Sequence, residues 1–105
     1  MVTGPRRGDV WWAEMDDKRR PVLVMTRNAA IPLLHRVVVV PITRRVRLIP
    51  TEVALGGGDG MPEACAATFD NITTADTSKL LERITHLSEE RMREVCRAMN
   101  VAVGC

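Results

Sequence analysis

Two short segments of the 105-residue chain bring together guanidinium and hydroxyl groups of the kind that hold a phosphodiester. Arg19 and Arg20 stand immediately before Pro21, whose ring biases the preceding backbone to extended geometry and so sets Arg20 at a strand start. Thr43 follows Pro41-Ile42 at the end of a valine run and is itself followed by Arg44 and Arg45. A planar guanidinium fork binds two phosphate oxygens at once, and a hydroxyl beside it donates a further bond. Trp12, on a neighbouring strand, offers a flat surface on which a base can stack, worth about 1–3 kcal/mol per base. The bland alternative is that Arg20 and Thr43 are solvated strand ends, and spacing alone does not choose between the two.

Other chemistries find less support. His35 lies beside Arg36 before the valine run and His86 just before a helix start, so both read as surface or structural residues. No short spacing of His, Cys and carboxylates converges on a metal, and no serine or cysteine has a visible base to activate it. Neither a metal nor a cofactor is therefore expected. Cys65, Cys96 and Cys105 are three in number and fit no C-x-x-C pair, which points to reduced thiols. The glycine-dense stretch Gly56-Gly57-Gly58-Asp59-Gly60 lacks the lysine and hydroxyl of a phosphate loop and reads as a mobile turn.

The elements that must position the arginines and the threonine are mostly short strands. In Val10 to Met15, period two sends Trp11, Ala13 and Met15 to a core and leaves Trp12 on the face of Glu14. Pro21 to Thr26 makes a second strand, and Val37 to Val40, limited by Pro41, a third buried on both faces. Arg47 to Leu55, Ala64 to Thr68, Ile72 to Thr74 and Arg83 to Leu87 follow as further extended pieces. Ser88 then caps a helix with Glu89 and Glu90 in its first turn, and Met92, Val95, Cys96 and Met99 form its apolar stripe. That stripe makes Cys96 a core thiol; the helix ends near Asn100, and Val101 to Val103 is an apolar extended tail suited to pairing with a second copy. Five or more strands and one C-terminal helix predict a mainly β, α+β fold: a small, strongly bent sheet or barrel in one domain over residues 1–105.

Composition agrees with a soluble domain, at 46% hydrophobic and 27% charged residues, with no apolar run long enough for a membrane and no secretory leader, so the cytoplasm is the expected location. The net charge of +2 hides a division. Residues 1–50 hold ten basic and four acidic side chains, whereas residues 51–105 hold five basic and nine acidic ones. The basic half is the half that carries Arg19, Arg20, Arg44 and Arg45.

The order of the motifs resembles the MazF/PemK family of toxin endoribonucleases. Arg7-Gly8-Asp9-Val10-Trp11-Trp12 is similar to that family's opening strand, Arg20-Pro21-Val22-Leu23-Val24 to its R-P-V-L-V strand, and Val40-Pro41-Ile42-Thr43 to its V-P-I-T segment. Asp70-Asn71-Ile72 and Ile84-Thr85-His86-Leu87-Ser88 continue the match towards the C-terminus. The resemblance implies an SH3-like barrel, a homodimer, a cognate MazE-like antitoxin and metal-independent cleavage of single-stranded RNA. It puts the catalytic arginine on Arg20 and the catalytic hydroxyl on Thr43; the residue chemistry adds Trp12, Arg19, Arg44 and Arg45 as the expected substrate-binding residues. The implied reaction is attack by the ribose 2′-hydroxyl on its own phosphate, which explains the missing enzyme nucleophile. Arg20, always protonated, then stabilises the phosphorane and assists the leaving oxygen, while Thr43 holds a non-bridging oxygen. One departure is the connection Asp16 to Arg19, shorter and more charged than in many members, which bears on how substrate is gated.

Two other functions fit a chain of this shape. Gyrase-binding toxins of the CcdB type share the barrel but carry an aromatic near the C-terminus, and Met99 to Cys105 has none. An RNA-binding module without turnover is the other.

Overall fold

The fold is seen in a computed structural model that describes residues 4–104; Cys105 lies outside them. Seven strands run in the order β1 (Asp9–Met15), β2 (Lys18–Val24), β3 (Arg36–Thr43), β4 (Glu52–Leu55), β5 (Cys65–Thr68), β6 (Thr73–Asp76) and β7 (Leu80–His86), followed by helix α1 (Glu89–Val103). Their spatial order is β4-β5-β3-β2-β1-β7, with β6 on β3 as well. The result is a bent SH3-like half-barrel, open between β4 and β7, with α1 packed on β4. No helix among the described residues is long and apolar enough to cross a membrane.

β1 and β2 form a hairpin in which Met15 pairs with Lys18. The loop between them is just Asp16 and Asp17, both at positive φ (51° and 62°), the backbone of a type I′ turn whose twist matches the strands it joins. The short charged connection is thus a tight turn, and Lys18, Arg19 and Arg20 already belong to β2. Pro21 consequently sits inside the strand instead of opening it.

β3 is longer than the valine run suggests, because Pro41 does not end it. Val39, Val40 and Pro41 pair with Val24, Leu23 and Val22 of β2, after which Ile42 and Thr43 pair with Ala67 and Ala66 of β5. The same edge that carries β5, away from β2, carries β6 over Arg36 to Val39. β5 and β6 thus follow β3 as one broken strand, interrupted by the single turn Phe69–Asn71, which drives Phe69 into the core. Of the predicted strand from Arg47 to Leu55 only Glu52–Leu55 forms; Leu48 adopts φ +56°, a left-handed backbone that costs a leucine roughly 1–2 kcal/mol and stops a ladder.

The central sheet is buried on both faces. Leu23, Val40, Ile42, Val53, Phe69 and Val95 belong to one core, and Trp11, Ala13, Val22, Val24, Val37 and Val39 to the other. The unbroken Val37–Val40 run is what such a position requires. Val10, expected on the outer face of β1, is fully buried because that face meets the larger core.

Helix α1 begins as predicted, with Ser88 Oγ accepting from the Arg91 N–H at 3.1 Å. It does not end at Asn100. The chain stays helical through Val103 and stops at Gly104 in the left-handed conformation, so the apolar tail is the last helical turn. Cys96 is exposed. At about 100° per residue it stands about 100° round from Val95, beyond Met92 at about 60°, and the buried arc lies to the other side through Ala98 and Ala102.

The Gly56–Gly60 stretch is pinned, contrary to its reading as a mobile turn. Asp59 accepts from the Gly56 N–H at 2.9 Å and from Arg91 Nε at 2.8 Å, and its carbonyl accepts from Thr85 Oγ1 at 2.9 Å. These bonds close the open side of the half-barrel, joining the loop after β4 to β7 and α1. Burial pushes the Asp59 carboxyl up, but the hydrogen bond from Arg91, the Gly56 N–H and the charge of Arg91 outweigh it and hold it below the usual range. A depressed folded value stabilises the fold above the unfolded value of about 4 and loses that contribution as pH falls further. Denaturant unfolding from pH 7 to pH 3 should therefore show wild type exceeding Asp59→Asn by a constant margin at neutral pH, a margin that shrinks below about pH 4.

Candidate nucleic-acid groove

The prolines of the two arginine and threonine motifs create the site they flank. β2 and β3 pair from Val24–Val39 to Val22–Pro41 and no further, because β3 then turns to β5 while β2 continues alongside β1. Pro21 and Pro41 lie at the crotch of this fork, where neither has an N–H to continue a ladder. Arg20 and Thr43 each stand two residues beyond the last pair, Val22–Pro41, one on each lip of the groove they both line. Between the lips lies a groove of about 400 Å³, also lined by Trp12, Arg19, Arg44, Arg47, Glu63 and Asn71.

Each lip is held by the sheet. Arg20 is exposed at the solvent end of β2, paired across β1 with Ala13, and no salt bridge joins it to a carboxylate among the described residues. Thr43 is half-buried, and its Oγ1 accepts from the Arg45 N–H at 3.1 Å. With an acceptor position occupied, the hydroxyl proton remains to be donated to a ligand oxygen in the groove.

The remaining candidates divide. Trp12 lines the groove, and the Arg19 guanidinium lies 5.3 Å from its ring centroid, so one face of the platform is covered by a cation. Arg44 lines the groove and pairs through Nε with Glu63 at 2.9 Å, an exposed ion pair of little energetic weight that an anion can displace. Arg45 is not among the lining residues; its backbone N–H orients Thr43 while its side chain stays outside.

Arg47, Asn71 and Cys65 are among the lining residues to which the sequence assigns no role. Arg47 stands beyond the last motif residue, in the loop that replaces the expected strand. Asn71 belongs to the quoted Asp70-Asn71-Ile72 segment and is turned to the groove by the turn between β5 and β6. Cys65 is buried in the groove wall, and burial, then the charges of Asp59 and Glu63, push its thiol up and away from nucleophilic character.

Both histidines lie outside the groove. His86 Nδ1 meets Asp9 Oδ1 at 2.7 Å, and the buried Asp9 also accepts from the Arg6 N–H at 2.9 Å and from Trp11 Nε1 at 3.1 Å. The Arg7-Gly8-Asp9 motif is therefore a structural knot that ties the segment before β1 to β7. Among the described residues no group of three His, Cys, Asp or Glu is placed to hold a metal ion.

Comparison with known proteins places the groove in context. Residues 6–103 match the family model of PemK-like, MazF-like toxins of type II toxin–antitoxin systems. The chain is 42% identical over 107 residues to the probable endoribonuclease MazF5 of Mycobacterium tuberculosis, covering 100% of this chain and 98% of that protein. It is 38% identical over 101 residues to the probable endoribonuclease MazF2 of the same organism, covering 95% and 99%. Among solved structures, an endoribonuclease in complex with its cognate antitoxin from a mycobacterial species superposes with a TM-score of 0.88 at 29% identity, covering 95% of both chains. The Mycobacterium tuberculosis toxin MazF-mt6 gives a TM-score of 0.85 at 31% identity, over 91% of this chain and 96% of that one.

Proposed function

The chain belongs to the PemK-like, MazF-like toxins of type II toxin–antitoxin systems, and from that membership we propose how its groove works. It is an RNA-cleaving toxin, an endoribonuclease; the names of its relatives favour this over the gyrase-binding alternative. The observation that supports the mechanism is that Arg20 and Thr43 line one groove, on either side of the point where the β2–β3 pairing ends. A single-stranded RNA lies in the groove with one phosphate between the two lips.

The ribose O2′ attacks that phosphorus, the bond to O5′ breaks, and a proton is transferred in net from O2′ to O5′, leaving a cyclic phosphate and a 5′-hydroxyl. The Arg20 fork binds the charge that grows on the phosphorane and lies beside the leaving oxygen, and Thr43 donates to a non-bridging oxygen. Arg19 and Arg44 hold flanking phosphates, and Trp12 receives a base once Arg19 moves from its face. The toxin acts in the cytoplasm as a homodimer, and its cognate MazE-like antitoxin restrains it by occupying the basic groove, as a segment that folds on binding.

The direct test is incubation with single-stranded RNA in excess EDTA. Cleavage should proceed at the rate seen without chelator, and end mapping should find a cyclic phosphate on one product and a 5′-hydroxyl on the other. RNA left intact with or without Mg²⁺, or retained uncut in a stable complex, overturns the reading.

A further inference from the structure

We propose that Arg47 is a substrate-binding residue of the groove and that the buried carboxylate of Glu52 positions it, an inference that rests on the reading of the groove as an RNA site. Glu52 opens β4, and its side chain is 1% exposed. Its Oε1 accepts from the Arg47 N–H at 3.1 Å, while Oε2 lies 3.8 Å from Arg47 Nη1 and accepts no hydrogen bond. A buried carboxylate oxygen without a hydrogen bond is unfavourable unless a charge compensates it, and the compensating charge is the Arg47 guanidinium.

The loop between them is drawn tight. The Glu52 N–H donates to the Ile49 carbonyl at 3.0 Å, and Leu48 takes a left-handed φ of +56° although its side chain is 82% exposed. Burial of Leu48 does not account for the strain, so the geometry serves the residues on either side, and strain of this kind collects at functional sites. What the loop achieves is to set Arg47 in the lining of the groove. Glu52 engages one edge of the guanidinium beyond hydrogen-bond length, leaving the other N–H groups for a ligand. The ligand that suits them is the phosphodiester next along the strand from the one held by Arg20 and Thr43.

Cleavage of a single-stranded RNA oligonucleotide is measured for wild type, Arg47→Ala, Glu52→Gln and the double variant, with binding followed over a range of salt. Arg47→Ala, a change at a half-exposed side chain, should raise KM about tenfold with a smaller change in kcat, and should reduce the salt slope of binding by about 0.7, the loss of one phosphate contact. Glu52→Gln keeps the shape and the acceptor for the Arg47 N–H and removes the charge. It should raise KM about threefold in the wild-type background and have no further effect on KM beside Arg47→Ala. Unchanged KM and salt slope in Arg47→Ala overturn the proposal, as does a Glu52→Gln effect of equal size with and without Arg47, which would mark Glu52 as a structural residue only. Melting curves of all four proteins separate that outcome from misfolding. A wild type that cuts no RNA overturns the reading of the groove and this inference with it, whereas a wild type that cuts normally beside an unaffected Arg47→Ala overturns this inference alone.

Discussion

Arg20→Ala is expected to lower RNA cleavage about a thousandfold while leaving the melting temperature within a degree or two of wild type. The size follows from what preorganised cations contribute to phosphoryl transition states, roughly 10³-fold or more for a guanidinium aimed at the transferring group. The selectivity follows from position: Arg20 is exposed, faces Ala13 across the hairpin, and lies outside both cores. Among the described residues its side chain makes no hydrogen bond or ion pair that would be lost with it. Arg20→Lys keeps the charge but not the planar fork, and should recover only a small part of the rate. Single-turnover cleavage of a labelled oligonucleotide, alongside a thermal melt, measures both quantities. Cleavage by Arg20→Ala within tenfold of wild type would remove Arg20 from the reaction.

The second large effect belongs to Thr43. Thr43→Ala should slow cleavage about a hundredfold, the usual loss for one hydrogen-bond donor to a developing oxyanion, and Thr43→Ser should retain most of the rate. The reasoning lies in the hydroxyl's two faces. One acceptor position is filled by the Arg45 N–H, so the proton is the part left for the phosphate. Thr43→Val preserves shape and removes both functions; it should be as slow as Thr43→Ala, with kcat carrying the loss. Equal rates for Thr43→Val and wild type would show that shape alone matters at this lip.

Much of this arrangement was legible in the chain. The alternation of Val10 to Met15, the valine run and the Ser88 cap identify β1, β3 and α1, because period and capping are local properties. The motif order identifies the family, and the resemblance carries the proposal for Arg20 and Thr43. The errors have a shared cause. Local pattern makes Pro41 a strand end, turns Val10 outward and buries Cys96, and in each case the deciding neighbour is distant in sequence: β5 receives β3 after Pro41, a second core covers Val10, and the arc of α1 facing β4 excludes Cys96. The glycine stretch was read as loose for the same reason, since Arg91 and Thr85, which pin Asp59, lie some thirty residues away.

By itself, then, the sequence determined most of the strands and the helix start, and supplied the arginine and threonine proposed to meet a phosphate, since propensity, periodicity and proline geometry act within a few residues. Tertiary structure alone decided that two prolines on separate strands lie where the β2–β3 pairing ends and that Arg20 and Thr43 line one groove beyond it. It also brought the backbone of Arg45 to Thr43 and turned Arg47 towards the groove through the carboxylate of Glu52. A register between strands depends on contacts summed over the whole sheet, and no local pattern carries it.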